Sequence, residues 1–303
     1  MIPKPLRKGA YIGIVAPSSS VDPDKTHQAI DYLYDTGYVP ILGDAIFDQN
    51  GFLAGNDKDR LADLHRMFAD PEIEAILCLR GGYGCLRIVD QLDFGLIRRN
   101  PKWLIGYSDI TTLLNSIYQI TGIPTIHGPM LAELPKSAGE DWWFDLWRLL
   151  RNPTGSYSYP KTKKAHCLFP GNAVGSMIGG NLSLLVASLG TAFEIDTAGR
   201  ILFIEEVGEN PYRIDRMLTQ LRLAGKLQAC SGIVFGDFTE CHAPANKPSI
   251  PVREILTDHM QRVRKPAFYG LPAGHSLPNY PIPIGAEAFV DANACFCMVS
   301  LTN

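Results

Sequence analysis

The chain has 303 residues, 46% of them hydrophobic and 19% charged, a balance that excludes a disordered or fibrous protein and leaves room for two domains. Lys and Arg total 28 against 31 Asp and Glu, a net charge of −3, which gives no support to nucleic-acid or anionic-membrane binding as the main activity. No apolar run approaches the ~18 residues of a spanning helix, and the opening Lys4, Arg7, Lys8 and Tyr11–Ala16 is too short for a signal peptide and ends at Pro17, so it reads as the first strand of a cytoplasmic protein.

In chain order, Tyr11–Ala16 is a short apolar strand followed by a Ser18-Ser19-Ser20 turn. A helix with Ile30, Leu33 and Tyr34 on one face stops at Gly37, and Asp57–Phe68 is helical by Leu61, Leu64 and Phe68. Ala75–Leu79 is a buried strand, Leu86–Leu92 a helix, Trp103–Gly106 a strand and Ile110–Tyr118 a helix. Strands alternating with helices predict an α/β domain with a parallel sheet covered on both faces, its active groups at the carboxyl ends of strands. Asn152–Pro170 changes character, with Pro153, Gly155, Pro160, Lys161, Lys163, Lys164 and Pro170. It reads as a linker (153–170) between a domain over 1–152 and a second over 171–303. The second domain opens with a glycine-rich turn, Gly171 to Gly180, then a helix at Asn181–Leu189 and a strand at Ile201–Ile204. Tyr212–Leu223 and Val252–Met260 are helices, Ser231–Phe235 is a strand, and Ala286–Leu301 reads as strands. The seven cysteines are odd in number and form no Cys-x-x-Cys, which argues for free buried thiols and against disulfides or zinc.

Four segments could carry chemistry. In Trp103-Leu104-Ile105-Gly106-Tyr107-Ser108-Asp109-Ile110 a strand runs into a turn with Ser108 at its tip and a helix directly after, the layout of a nucleophile elbow. Ile110 stands where Gly-x-Ser-x-Gly has its second glycine, and the plain alternative is Ser108 as a helix N-cap. Arg80-Gly81-Gly82-Tyr83-Gly84 lets backbone N–H groups converge on an oxyanion, or is simply a turn. Glu205 and Glu206 end an apolar strand; a buried carboxylate needs a partner, and Arg213 or Arg216 would supply a purely structural one. His275 lies in a Gly/Pro-rich loop, where a histidine is often a bystander, and His127 competes with it because it too ends a strand-like run. Together these segments hold a hydroxyl, an imidazole, a carboxylate and an oxyanion donor, the parts of an acyl-transfer site.

Arg80-Gly81-Gly82-Tyr83-Gly84, Gly106-Tyr107-Ser108-Asp109, His127-Gly128-Pro129-Met130, Gly179-Gly180-Asn181-Leu182, Glu205-Glu206-Val207 and Gly274-His275 stand in the order seen in LD-carboxypeptidases. Ala16-Pro17-Ser18 and Phe52-Leu53-Ala54-Gly55 extend the resemblance over nearly the whole chain. The sequence thus resembles the muramoyltetrapeptide carboxypeptidases, with the microcin C self-immunity peptidases as relatives. The resemblance implies a flavodoxin-like or amidotransferase-like N-terminal domain, a smaller C-terminal α/β domain with its own sheet, and a site between them. It implies a triad of Ser108 as nucleophile, His275 as base and Glu205 as orienter. Oxyanion and substrate-binding groups would be the N–H of Gly82 (or Gly81) and of Asp109, with Tyr83 beside them. The implied reaction releases terminal D-alanine from a murein tetrapeptide in cell-wall recycling, with no metal and no cofactor, in a cytoplasmic homodimer. The substrate is a small anionic peptide, for which Arg80 or Arg213 would be local cations.

Two other functions fit the same residues less directly. An immunity-type peptidase cleaving a peptidyl- or aminoacyl-nucleotide needs an aromatic to stack on the base, and Trp142, Trp143 and Trp147 would offer one if they were not packing. A flavodoxin-like binding module without chemistry would use Ser18-Ser19-Ser20 as its phosphate loop.

Overall fold

The structure is a computed structural model that describes residues 1–133 and 141–301. It divides into two compact units: Met1–Gly155 with Pro281–Gly285, and Ser156–Tyr280 with the chain from Ala286 onward.

The first unit alternates β1 (Tyr11–Val15), α1 (Pro23–Asp35), β2 (Val39–Leu42), α2 (Asp57–Ala69), β3 (Ile73–Cys78), α3 (Phe94–Arg99), β4 (Trp103–Gly106), α4 (Thr111–Thr121), β5 (Thr125–His127) and α5 (Asp141–Arg151). Its five parallel strands lie in the order β5-β4-β3-β1-β2, with the strand Ile282–Ile284 antiparallel on the β5 edge. Read from the other edge, this is the 2-1-3-4-5 order of flavodoxin-like sheets, whose strand order reverses between β1 and β3. Every residue of β4 is buried, as a strand covered on both faces requires. Local chemistry sets the helix ends: Asn56 caps α2 by accepting from Asp59 N at 3.0 Å, and Gly122 ends α4 in the left-handed region.

Two expectations for this unit change, and the packing of three tryptophans is settled. The buried face of α1 is Thr26, Ala29, Ile30 and Leu33, and Tyr34, at the margin of that stripe, is exposed. Leu86–Leu92 is not one helix but two short 3₁₀ turns, Cys85–Arg87 and Val89–Gln91. Asp93 then caps a separate helix, α3, through Leu96 N at 2.8 Å. Trp142, Trp143 and Trp147 lie on α5 at no more than 2% exposure, with Tyr38 stacked on Trp147 at 4.4 Å. They are core, not a platform for a nucleobase.

The second unit contains β6 (Ser156–Ser158), β7 (His166–Phe169), β8 (Asn172–Asn181), α6 (Leu182–Ala187), β9 (Ile201–Val207), α7 (Pro211–Leu223), α8 (Lys226–Ala229), β10 (Gly232–Thr239), α9 (Val252–Val263) and β11 (Ala267–Tyr269). After β12 (Ile282–Ile284), which belongs to the first sheet, come β13 (Glu287–Asp291) and β14 (Phe296–Ser300). The eight strands run β6-β14-β13-β8-β9-β10-β11-β7, parallel from β8 to β11 and antiparallel on both flanks. The C-terminal unit therefore has the larger sheet.

The stretch 153–170 is not a free linker: it supplies β6 and β7, the two outermost strands of this sheet. Its prolines and lysines hid them, because these are the residues that protect a sheet edge from further pairing. Gly171 to Gly180 is likewise not a turn but most of β8, a central strand. Gly179 leaves room for the backbone of β9 at Phe203, and Gly175 for the chain at Gly199 and Arg200 just before it.

Candidate active site

In the first unit the chain leaves β4 extended at Tyr107, enters a 3₁₀ turn at Ser108–Ile110 and continues into α4. Ser108 sits at φ 62°, a left-handed conformation that costs a non-glycine residue about 1 kcal/mol or more and recurs at functional turns. Its hydroxyl makes no capping bond, so the N-cap alternative does not hold. Ile110 is fully buried and fills the space over Gly106, where a Cβ would stand 3.0 Å from its side chain.

The glycine loop after β3 lies against this turn. A Cβ on Gly81 would come 2.8 Å from Ser108 Cβ and 3.0 Å from Ser108 Oγ, so only glycine permits the approach. Asp109 is 1% exposed, and its Oδ2 accepts from Ser18 Oγ at 2.6 Å and from Cys85 N at 2.8 Å. Tyr83 is half exposed and meets the ring of Phe52 edge-on at 5.5 Å. Arg80 is exposed and donates to Ser20 O at 3.2 Å.

In the second unit, Glu205 lies near the carboxyl end of β9 and is fully buried, with Oε2 2.6 Å from His275 Nδ1. Burial pushes its carboxyl above the ordinary range, and the bond to His275 pulls it part of the way back. With Nδ1 carrying the proton to Glu205, the other imidazole nitrogen is left as an acceptor, the state a general base requires. The loop that brings His275 here is built for the contact. Gly274 adopts φ 131°, and a Cβ on it would press on Glu205 Cβ and Oε2 at 3.1 Å.

The loop is also held from below. Gly274 N donates to Asn279 Oδ1 at 3.1 Å, Asp237 N donates to Ala273 O at 3.0 Å, and Ser276 Oγ donates to Asp237 Oδ2. Asp237 is reached through a break in register of β10 between Phe235 and Phe238, opposite the end of β9; such bulges re-aim a side chain beside a site. Asp237, Ser276 and Asn279 were not legible in the sequence, because their partners come from distant segments and no local pattern marks them.

The paired acids do different work, and neither follows the expectation of an arginine partner. Glu206 accepts at Oε1 from Asn181 Nδ2 at 2.9 Å and Val207 N at 2.8 Å, and at Oε2 from Ser183 N at 2.8 Å and Ser183 Oγ at 2.6 Å. Arg213 instead meets Glu209 at 3.4 Å and Tyr212 OH at 3.1 Å. Glu206→Ala strands these buried and part-buried donors and is expected to cost about 3 kcal/mol, read as a lower urea midpoint. Glu206→Gln, which keeps the Oε1 contacts, should lose about half of that.

His127, the competing imidazole, is fully buried in the first unit with the Tyr107 ring edge-on at 5.6 Å. The cysteines are all free thiols. Burial pushes Cys230 and Cys297 up to about 12 and Cys241 up to about 11, which leaves them poor nucleophiles near neutral pH. No helix among the described residues is long and apolar enough to cross a membrane.

The chain is similar to known carboxypeptidases. The sequence matches the LD-carboxypeptidase N-terminal domain over residues 12–128 and the LD-carboxypeptidase C-terminal domain over residues 174–290. A Bacillus subtilis protein named "Probable murein peptide carboxypeptidase" is 43% identical over 294 residues, 94% of this chain and 90% of the relative. The murein tetrapeptide carboxypeptidase of Pseudomonas aeruginosa is 33% identical over 294 residues, 93% of each chain. The crystal structure of an MccF-like protein from Bacillus anthracis aligns over the whole of both chains with a TM-score of 0.88 at 27% identity. With both halves matched in order and a close relative spanning nearly the full length, the chain belongs to the LD-carboxypeptidase family and is an enzyme, a serine-type carboxypeptidase.

Proposed function

We propose that this enzyme hydrolyses the amide joining an L-centre to the terminal D-alanine of a murein tetrapeptide, with Ser108, His275 and Glu205 acting as one triad. The observation that carries the reading is the buried Glu205 Oε2–His275 Nδ1 pair at 2.6 Å, in a chain whose Ser108 is held at φ 62° on a strand–turn–helix elbow. Ser108 Oγ attacks the carbonyl carbon while its proton passes to His275 Nε2. The Gly82 and Asp109 N–H groups receive the oxyanion. Collapse breaks the C–N bond, and His275 gives its proton to the departing amine of D-alanine. Water then enters and adds to the acyl carbon as His275 takes its proton; the C–Oγ bond breaks, His275 returns the proton to Ser108 Oγ, and the shortened peptide leaves. Glu205 stays ionised and stabilises the imidazolium in both halves.

Arg80, exposed beside the glycine loop, is the cation this reading assigns to a substrate carboxylate; Arg213 is already held by Glu209 and Tyr212. The family resemblance adds a cytoplasmic homodimer. The nucleotide-peptide alternative loses its aromatic platform, since the three tryptophans it would use are core.

Mass spectrometry of purified protein with three substrates tests the assignment: a tetrapeptide ending in D-alanine, the same peptide ending in L-alanine, and an aminoacyl-nucleotide. Loss of one alanine from the first alone is expected. Equal turnover of the L-ended peptide, or turnover of the nucleotide conjugate alone, overturns it.

A further inference from the structure

We propose that Ser18 and Ser19, which follow β1, are positioning residues that pin the glycine loop at both ends and so aim the Gly82 N–H as the oxyanion donor. The inference rests on the reading of Ser108 as the nucleophile. β1 and β3 are neighbours at the point where the strand order reverses, so the segments leaving their carboxyl ends face each other. In many folds of this type that crevice holds a ligand. Here the two segments close on one another.

Ser19 works on the middle of the loop. Its N–H donates to Gly81 O at 3.4 Å, and its Oγ accepts from Tyr83 N at 3.2 Å. The carbonyl and the N–H of a trans peptide point in opposite directions. Drawing Gly81 O toward Ser19 therefore turns the Gly82 N–H away from Ser19. The contact is closed: Gly82 is at φ 118°, and a Cβ on it would stand 2.6 Å from Ser19 Cβ. Gly81, on the same peptide unit, is the residue that abuts Ser108.

Ser18 works on the far end. It is fully buried, and its Oγ donates to Asp109 Oδ2, the same oxygen that accepts from Cys85 N. Asp109 directly follows Ser108, so one carboxylate ties the elbow, the end of the loop and the segment after β1. The Tyr83 and Cys85 N–H groups are thereby engaged inside the protein, which removes both from the donors the loop can present. A segment with three glycines in four positions has little stiffness of its own, and a donor stabilises an oxyanion only if it is held in place beforehand. Ser18 Oγ and Ser19 Oγ thus both have partners inside the protein.

The test is the rate at which a fluorophosphonate labels Ser108, followed by intact mass. The Ser108 Oγ–P bond forms, fluoride leaves and the proton goes to base, so the rate reports the oxyanion donors whatever the natural peptide is. Ser19→Ala is expected to slow labelling, and kcat on the tetrapeptide, by about 10- to 100-fold. KM should stay within about twofold, the mark of an interaction made in the transition state. Ser19→Thr, which keeps the hydroxyl, should recover most of the rate. Ser18→Ala should behave like Ser19→Ala; if that buried substitution prevents folding, the half-exposed Ser19 carries the test. Labelling of Ser19→Ala at the parent rate overturns the brace and leaves Ser108 as nucleophile. A slow Ser19→Ala that Ser19→Thr does not rescue also overturns it, as a packing defect. Equal labelling of the parent and Ser108→Ala removes the nucleophile assignment, and the brace with it.

Discussion

Ser108→Ala is expected to lower D-alanine release by about 10⁵-fold or more, since removing the nucleophile of a triad costs nearly as much as removing all its members. The protein should remain folded. The Ser108 hydroxyl makes no capping bond, and alanine inherits the same φ of 62°, so stability should move by less than about 0.5 kcal/mol. Ser108→Gly separates the two roles of the position. It should be equally inactive and yet more stable, by about 1 kcal/mol, because glycine adopts the left-handed conformation without strain. Peptide turnover by mass spectrometry and thermal midpoints by calorimetry read both effects. Release by Ser108→Ala within tenfold of the parent would show that the elbow serves structure alone.

Glu205→Gln is the second large effect, and activity and stability should part company. The carboxyl is fully buried, and its affinity for a proton is raised above the ordinary value near 4.5. Between that value and the raised one the folded protein holds a proton the unfolded chain has lost, so this group's contribution to stability falls as pH rises through the window. Above the window the charged carboxylate is thus a cost to the fold, retained for what it does to His275. Glutamine removes the charge at nearly constant shape. Urea midpoints at pH 7 should be unchanged or higher, while kcat falls by about 10³- to 10⁴-fold, since an amide neither fixes the useful tautomer nor stabilises imidazolium. In the parent, activity should rise with pH across the window in which this stability contribution declines. A destabilised Glu205→Gln with near-parent kcat would mark Glu205 as packing.

Much of this molecule is written along the chain. The β1, β3, β4, β9 and β10 runs are short apolar segments bounded by turn residues, and such strands are buried on both faces wherever they are placed. The elbow is legible because strand, turn and helix are consecutive: Gly106, Ser108 and Asp109 belong to one local device. Family resemblance then assigns roles to Glu205 and His275 that neither position carries by itself.

What the chain order hides has one physical cause, partners that are distant in sequence. Edge strands β6 and β7 look like linker because an edge is defined by the absence of a neighbour, and prolines and lysines serve that absence. Central β8 looks like a turn because its glycines answer to the backbone of β9 and of the chain just before it. Glu205 and Glu206 are adjacent and chemically identical, so the sequence alone determines that two acids end a strand. Alternation along the strand sends one to His275, 70 residues away, and the other to Asn181 and Ser183. Ser18 and Ser19 are likewise an ordinary serine turn until the sheet order sets β1 beside β3. Composition, periodicity and motif order determined the class of fold and the chemical parts. Only tertiary structure showed the buried contact of Glu205 with the imidazole, the separate partners of Glu206, and which hydroxyls meet the glycine loop and Asp109, because burial and hydrogen-bond partnership are properties of neighbours in space.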